Sequence, residues 1–413
     1  MNEVPMARNR RKKKKSGKQI VARIFTTISI IGVIAFGIRE YISYTNNAFI
    51  AGWRSLYIET AVTTHSHQWL AGLVFPRSVI NAVVADINAQ TIAQENMEST
   101  WKNEETNKNA NLTGSDWFYA TYWELDTTSI RDYLDENPSV LSYGYENIKI
   151  DNMDGDLNIY TTGGDRVLVV DTANNFFLTE VTGDGYVGKM AFVKEPEQIK
   201  HVLSKSFGSY GEEIEDFGDS YGALLAINAA PFEDVGGHGS GAIVRGACIV
   251  DGVEYGHPNS MKLYAMTFDN LLYVTNYSSD NVSKYRWGVQ FYPALIIDGE
   301  NVLTTDSGGN GIQPRTIIGQ QSDKTFMMLI IDGRQVGYSL GATVGECATI
   351  MERYKAVQAG ALDGGSSAVM YYDGDLITKS SSVSGRGRYC PDSLIVIPAD
   401  QVDGWEDEYS NFP

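Results

Sequence analysis

The sequence predicts an α+β fold, with strand-rich mixed sheets and a few helices, preceded by one N-terminal transmembrane helix. Three observations predict it. A dense basic block is followed almost directly by an apolar run; from Trp117 onward short β-type runs alternate with Gly, Asp and Asn; and that body holds one well-marked amphipathic helix. With 413 residues, 43% of them hydrophobic, the chain has room for two or more domains and is not disordered, collagenous or a disulfide scaffold.

Arg8, Arg10, Arg11, Lys12, Lys13, Lys14, Lys15 and Lys18 form the basic block, and the run Ile24 to Ile38 carries no charge. At 15 residues it falls short of the roughly 20 that span a bilayer. Ile20 to Ala22 and Tyr41 to Tyr44 extend it while Arg23 and Arg39 snorkel. We expect a basic cytoplasmic tail over 1–20 and a signal anchor over 21–44. The product is a single-pass cell-membrane protein with a cytoplasmic N-terminus and an extracellular body. A cleaved signal peptide, or a nuclear-localisation cluster before a buried helix, is the alternative; no Ala-x-Ala site follows the run.

Residues 45–116 read as a juxtamembrane helical segment and a polar linker. Gln68 to Phe75 is stopped by Pro76 and is too short for a second span, and Gln94 to Asp116 is rich in Asn, Glu, Lys and Thr. His65 and His67 have a spacing that suits a metal on a strand, but with no third ligand nearby they read as a polar surface pair.

The body, 117–413, shows strand runs at 166–171, 189–193, 223–227, 294–297, 325–331 and 368–372. Asp298-Gly299, Asp332-Gly333 and Asp373-Gly374 are hairpin signals. Thr343 and Glu346 make a capping box, and Val344, Cys347, Ile350, Met351 and Tyr354 then recur at helical spacing, so Glu346 reads as a cap. The formal charge is -18, with nine bases and one acid in residues 1–23. The remainder, 24 bases against 50 acids, is near -26 and is a poor general binder of nucleic acid. Cys248, Cys347 and Cys390 fit neither a zinc spacing nor a bridged framework.

Three strands end in a polar residue beside small ones: Ile227-Asn228-Ala-Ala-Pro-Phe232, Ile331-Asp332-Gly-Arg334 and Leu362-Asp363-Gly-Gly-Ser-Ser367. If these strands are neighbours in one sheet, Asn228, Asp332 and Asp363 converge at one rim. The last segment leaves backbone N–H groups of Gly364, Gly365, Ser366 and Ser367 open to an anion; a tight turn explains the same composition. Arg315, after the Gly-rich stretch from Asp306, can clamp a phosphate or carboxylate, or be a surface arginine.

Asn228 with its small neighbours, Pro-Ala-Leu-Ile-Ile-Asp-Gly (293–299), Pro-Arg-Thr-Ile-Ile-Gly-Gln (314–320), Ile-Asp-Gly-Arg-Gln (331–335) and Leu-Asp-Gly-Gly-Ser-Ser (362–367) occur in that order. Together they resemble the phosphodiester glycosidase family, the catalytic domain type of the uncovering enzyme. The match is strongest over 185–398. The anchor, Thr63 to Trp69 and the strand Gly188 to Lys194 resemble membrane-anchored, exopolysaccharide-biosynthesis-like bacterial members. Where the family usually has Asn-Gly-Gly-Phe-Phe or Asn-Ala-Gly-Phe, this chain has Asn228-Ala-Ala-Pro231-Phe232, and the proline stiffens the loop and removes one N–H donor.

The resemblance implies a hydrolase that cleaves a sugar-1-phosphodiester at the anomeric carbon of a cell-envelope or exopolysaccharide glycan. Asp363 is then the nucleophile or the base for water, Asp332 the second candidate, and Asn228 a residue that orients substrate. Arg315, Arg334 and the N–H groups of 364–367 bind phosphate, with Arg386 or Arg388 in support. The partners implied are a glycan or sugar-phosphate substrate and the membrane. No cofactor is predicted, and metal dependence stays open. Other classes compete. A serine hydrolase using Ser366 or Ser367 needs one of His201, His238 or His257, none in a nucleophile-elbow context. A metal phosphodiesterase wants His and Asp clusters, and Asp151 to Asp156 lacks calcium-loop spacing. A catalytically silent envelope protein that binds anionic glycans is the remaining alternative.

Overall fold

The computed structural model describes residues 17–64, 68–101, 111–234 and 239–407. Most of the basic tail, the His65 and His67 pair, and His238 lie outside these residues. Helix α1 (Gly17–Tyr44) is one continuous helix, long and apolar enough to cross a membrane, and its apolar side chains are exposed. Its 28 residues rise about 42 Å, more than the hydrocarbon core of a bilayer.

The juxtamembrane segment is helical, as its mixed pattern suggests: α2 (Ala48–Val62), α3 (Trp69–Val74) and α4 (Arg77–Gln94). The Asn47 carboxamide caps α2 by accepting from the Ile50 N–H, and Pro76 separates α3 from α4. The three helices share a small core of Ile58, Phe75 and Val83 and dock on the body through polar side chains. Gln94 bonds both the N–H and the C=O of Ala294 (3.1 and 2.8 Å), and the Gln90 carbonyl oxygen accepts from the Thr304 N–H at 2.6 Å. The stretch expected to be a polar linker packs in part. Ser99 pairs with Val274, and the buried Trp101 indole donates to the Leu272 carbonyl at 2.7 Å, because that one large apolar side chain finds a sheet edge.

The body opens with two short helices that the sequence reading passed over, α5 (Gly114–Thr121) and α6 (Thr127–Glu136). They bury Phe118, Ile130 and Leu134 against the sheet behind them. Three sheets follow. The largest has nine strands in the order Lys149–Asp151, Arg166–Asp171, Phe176–Gly183, Tyr186–Val193, Phe326–Ile331, Arg315–Gln321, Ala356–Ala361, Ala294–Ile297 and Glu300–Asn301. A five-stranded sheet holds Asp375–Leu376, Met370–Tyr372, Leu225–Asn228, Asp392–Val396 and Ile199–Leu203, and a second one is built from residues 248–291. The class is α+β, and the strand pairings are antiparallel rather than mixed in direction. Hairpins such as those joining Phe176–Gly183 to Tyr186–Val193 and Arg315–Gln321 to Phe326–Ile331 account for part of this, since antiparallel neighbours need no crossover.

One face of the large sheet packs against both smaller sheets, and α7 (Ile214–Tyr221) packs on the one that holds Leu225–Asn228; the other face of the large sheet is covered by α5, α6 and α8 (Val344–Arg353). Helix α8 starts with the expected capping box, the Thr343 hydroxyl accepting from the Glu346 N–H at 3.1 Å and Glu346 from the Thr343 N–H at 2.8 Å. Two of the three Asp-Gly pairs are hairpin turns with both residues at positive φ, 51° and 85° at 298–299 and 47° and 98° at 373–374. Asp332-Gly333 is not. There the chain enters a longer loop, with Arg334 at φ 61° and Gln335 bridged to Ser339.

The three strands expected side by side are not neighbours. Arg315–Gln321 lies between Phe326–Ile331 and Ala356–Ala361, with Arg315 opposite Ile331 and Ile317 opposite Ala361. Asp332 and Asp363 therefore leave the same end of the large sheet on either side of Arg315. Asn228 arrives from the five-stranded sheet that holds Leu225–Asn228, and the rim forms where that sheet meets the large one.

Candidate active site

At that meeting point lies a cavity of about 370 Å³. Of the residues expected in the site, it is lined by Asp363, Gly364, Gly365, Ser366, Ser367, Arg315 and Arg334. Asn228 and Asp332 stand outside its wall.

Asn228 is buried, and both ends of its amide are hydrogen-bonded. Its Nδ2 donates to the Asp363 carbonyl at 2.6 Å, while its Oδ1 accepts from the Thr316 hydroxyl at 2.9 Å and the Val369 N–H at 3.4 Å. The next residue, Ala229, accepts the Asp363 N–H at 3.2 Å. Both backbone groups of Asp363 are thus clamped by the end of the other sheet, so Asn228 holds the acid's backbone and does not face a ligand.

The 364–367 loop is bound to its surroundings more than composition suggested. The Gly365 N–H bonds Pro314 O at 3.0 Å and the Ser367 N–H bonds Gly364 O at 3.3 Å, so the loop does not offer four open donors. Its glycines are there for room. A Cβ on Gly364 would come within 2.8 Å of Pro314 O, and Gly365 has φ 64°.

Enclosure pushes the Asp363 carboxyl up to about 7, against the opposing pull of the Ser367 hydroxyl and the Arg388 guanidinium. The surrounding charge is mostly positive. Arg245, Arg315, Arg334 and Arg388 line the cavity against two acids, Asp234 and Asp363, in a body of strongly negative charge. These arginines are not equivalent. Arg315 donates to the carbonyls of Ala342, Asn310 and Gly311 (2.6–3.0 Å), and burial lowers its pKa to about 10. Arg388 is locked on Asp234 by two bonds of 2.7 and 2.9 Å. Arg334 bonds Gln313 Oε1 at 2.6 Å and approaches Gly365. Arg245 is exposed and its guanidinium has no protein partner among the described residues.

Sequence reasoning missed Arg245, and no motif marks it. It is placed by main-chain pairing with the 231–232 segment: the Pro231 carbonyl accepts the Arg245 N–H at 2.7 Å, and Phe232 bridges to Val244. Tyr292, Gln313 and, from the helical segment, Thr63 and Thr64 complete much of the wall; Thr63 and Thr64 open a segment that the resemblance marks, but with no role at the site. Arg386 is elsewhere. It lines a wider depression of about 710 Å³ at the surface and is paired with Glu213 and Glu215 at 2.9 and 2.8 Å.

Asp332 is buried by its own loop. Tyr338 donates its hydroxyl to one carboxylate oxygen at 2.8 Å and the Lys379 N–H donates to the other at 2.9 Å; burial still raises its pKa to about 6.

No histidine lines the cavity among the described residues. His201 lies behind the 229–231 loop. Its Nε2 is 2.7 Å from Asp392, whose other oxygen accepts the Ala230 N–H at 2.9 Å, and its Nδ1 faces Ile249 O at 2.9 Å. With the Cys248 sulfur 3.6 Å from Asp392, these are ligand types that could hold a cation, yet as a buried hydrogen-bonded cluster they already satisfy one another.

Among curated proteins, none matches the chain. Solved structures similar to it include the zebrafish N-acetylglucosamine-1-phosphodiester alpha-N-acetylglucosaminidase catalytic domain, auto-inhibited by pro-peptide. That pair shares 19% identity over 54% of this chain and 82% of the other, with a TM-score of 0.43. A hypothetical protein from Synechocystis shares 13% identity over 56% of this chain and 63% of the other, with a TM-score of 0.43. The family model described as phosphodiester glycosidase matches residues 221–397, the stretch that supplies Asn228, Arg245, Arg315, Arg334, Asp363 and Arg388. Over those residues the chain is similar to the phosphodiester glycosidases, which are hydrolases.

Proposed function

We propose that the cavity hydrolyses a sugar-1-phosphodiester at the anomeric carbon, releasing the free sugar and a phosphomonoester, and that its substrate is a cell-envelope or exopolysaccharide glycan. The observation that carries this reading is one carboxyl group raised to about 7 in a cavity lined by four arginines. A carboxylate poised there suits a proton acceptor at neutral pH. Water attacks the anomeric carbon and gives its proton to Asp363. The bond from that carbon to the phosphate oxygen breaks, and its electron pair leaves on the phosphate. Phosphate is a weakly basic leaving group, so charge stabilisation can replace a strong general acid. Arg245 and Arg334 are the cations with donors to spare for it, while Arg315 braces the loop and adds field. Asn228 and Ala229 fix Asp363, and Asp332 props the neighbouring loop. With a single carboxylate acting on water, the sugar is released with inverted configuration.

The same reading puts α1 in the membrane, the basic tail in the cytoplasm and the domain from 117 onward outside. It is supported by the charge order around the apolar helix. Reaction in ¹⁸O-water tests the chemistry. The label is expected in the released sugar and absent from the phosphate; label in the phosphate would mean P–O cleavage and overturn the assignment.

A further inference from the structure

Helices α2 and α3 carry an apolar face that the body leaves uncovered. Phe49, Trp53 and Tyr57 recur four apart on α2, and Trp69 and Leu73 four apart on α3. Phe49 is 74% exposed, Trp53 54%, Trp69 61% and Leu73 67%. Tyr41 and Tyr44, at the end of α1, are exposed beside them. Rows of Trp, Tyr and Phe next to a span are what a membrane interface selects, because the rings bury apolar area and, in Trp and Tyr, keep a polar edge in the headgroups.

Two arginines set the level. Arg39, the first charge after the apolar run of α1, donates from Nε to the Val74 carbonyl at 2.9 Å and so holds the end of α3 beside the point where the span ends. Arg54 donates to the carbonyls of Ile42 and Thr45, both at 3.1 Å, and holds α2 beside the last turn of α1. The apolar face is therefore continuous with the surface of the anchor.

The same helices build the cavity wall. Thr63 and Thr64 line it, Thr63 accepts from Gln313 Nε2 at 2.7 Å, and Thr60 accepts from the Ile312 N–H at 3.0 Å. From Thr64 to Trp69 the chain can reach at most about 18 Å. Cavity, apolar face and anchor are thus one connected assembly.

We infer that the α2–α3 face lies in the bilayer interface and that the cavity takes phosphodiesters embedded in that leaflet, a sugar-1-phosphate headgroup on a long-chain lipid alcohol. This rests on the hydrolytic reading and on α1 spanning the membrane. It also answers the charge problem. A body near -26 repels a free polyanion, whereas a substrate held in the same membrane as the enzyme needs no long-range attraction.

The full chain in phosphatidylcholine–phosphatidylglycerol nanodiscs provides the test, since the three native cysteines are buried. A nitroxide at Leu73→Cys is expected to meet oxygen more than a water-soluble nickel chelate, and one at the fully exposed Val383→Cys the reverse. A Leu73 label as wet as the Val383 label overturns the membrane face. With Trp53→Glu plus Leu73→Glu, kcat/KM on a polyprenyl sugar-1-phosphate is expected to fall about tenfold or more while turnover of the methyl ester of the same sugar phosphate holds within about twofold. Equal losses on both overturn the lipid substrate. No turnover of either ester by the unmodified chain overturns the hydrolytic reading, and the substrate class with it, while the label depths still decide the face.

Discussion

Asp363 and Asp332 each follow a strand that pairs with Arg315–Gln321, one on either side, and each is followed by glycine. Burial raises the pKa of both, to about 7 and about 6. They differ in what closes over them. Asp332 has a hydroxyl on one oxygen and a backbone N–H on the other, and its loop turns back across it. Asp363 has its backbone clamped and its carboxyl, bonded by the Ser367 hydroxyl, at the wall of a cavity lined by four arginines. Clamping the main chain while leaving the side chain open is how a fold presents a reactive group; satisfying the side chain itself is how it props a loop.

Substitution separates the two corners most sharply at Asp363. Asp363→Asn is expected to lower kcat by about 10³-fold or more on a sugar-1-phosphodiester. It is also expected to stabilise the fold, with a definite sign. A carboxyl whose folded pKa lies above its unfolded value binds more protons when folded, so it costs stability as pH rises from about 4 to about 7. The melting temperature of the variant should exceed that of the parent at pH 8, and the gap should close toward pH 4. Arg245→Ala comes next. Loss of the cavity guanidinium that has no hydrogen-bond or ion-pair partner among the described residues should reduce kcat/KM by about ten- to a hundredfold and shift the melting temperature little. The smallest effect belongs to Asp332→Asn. It gives up one of two accepted hydrogen bonds, about 1 kcal/mol of stability by chemical denaturation, with kcat within about fivefold of the parent. A loss at Asp332 as deep as that at Asp363 would merge the two corners into one site.

Local order was legible along the chain where one residue type decides the outcome. Continuous apolar runs marked Arg166–Asp171 and Ala294–Ile297, Thr343 and Glu346 marked the start of α8, and Asp-Gly marked two tight hairpins. Helices α5 and α6, of 8 and 10 residues, are too short for a period to stand out, and packing of Phe118 and Ile130 holds them. At the site, Asp363, Arg315 and Arg334 were visible as residue types beside glycines. Which sheet would carry Asn228 was not, because pairing between distant segments leaves no local trace. Arg245 is set by a carbonyl on Pro231 fourteen positions earlier, and Thr63 and Thr64 reach the wall through helix docking.

The pH dependence of kcat/KM in the parent and in Asp332→Asn tests the central claim most directly, namely that Asp363 works as the base. Both are predicted to show activity rising with pH through an apparent pKa near 7, with the residual rate of Asp363→Asn lacking that limb. An ascending limb that survives in Asp363→Asn and disappears in Asp332→Asn would contradict it.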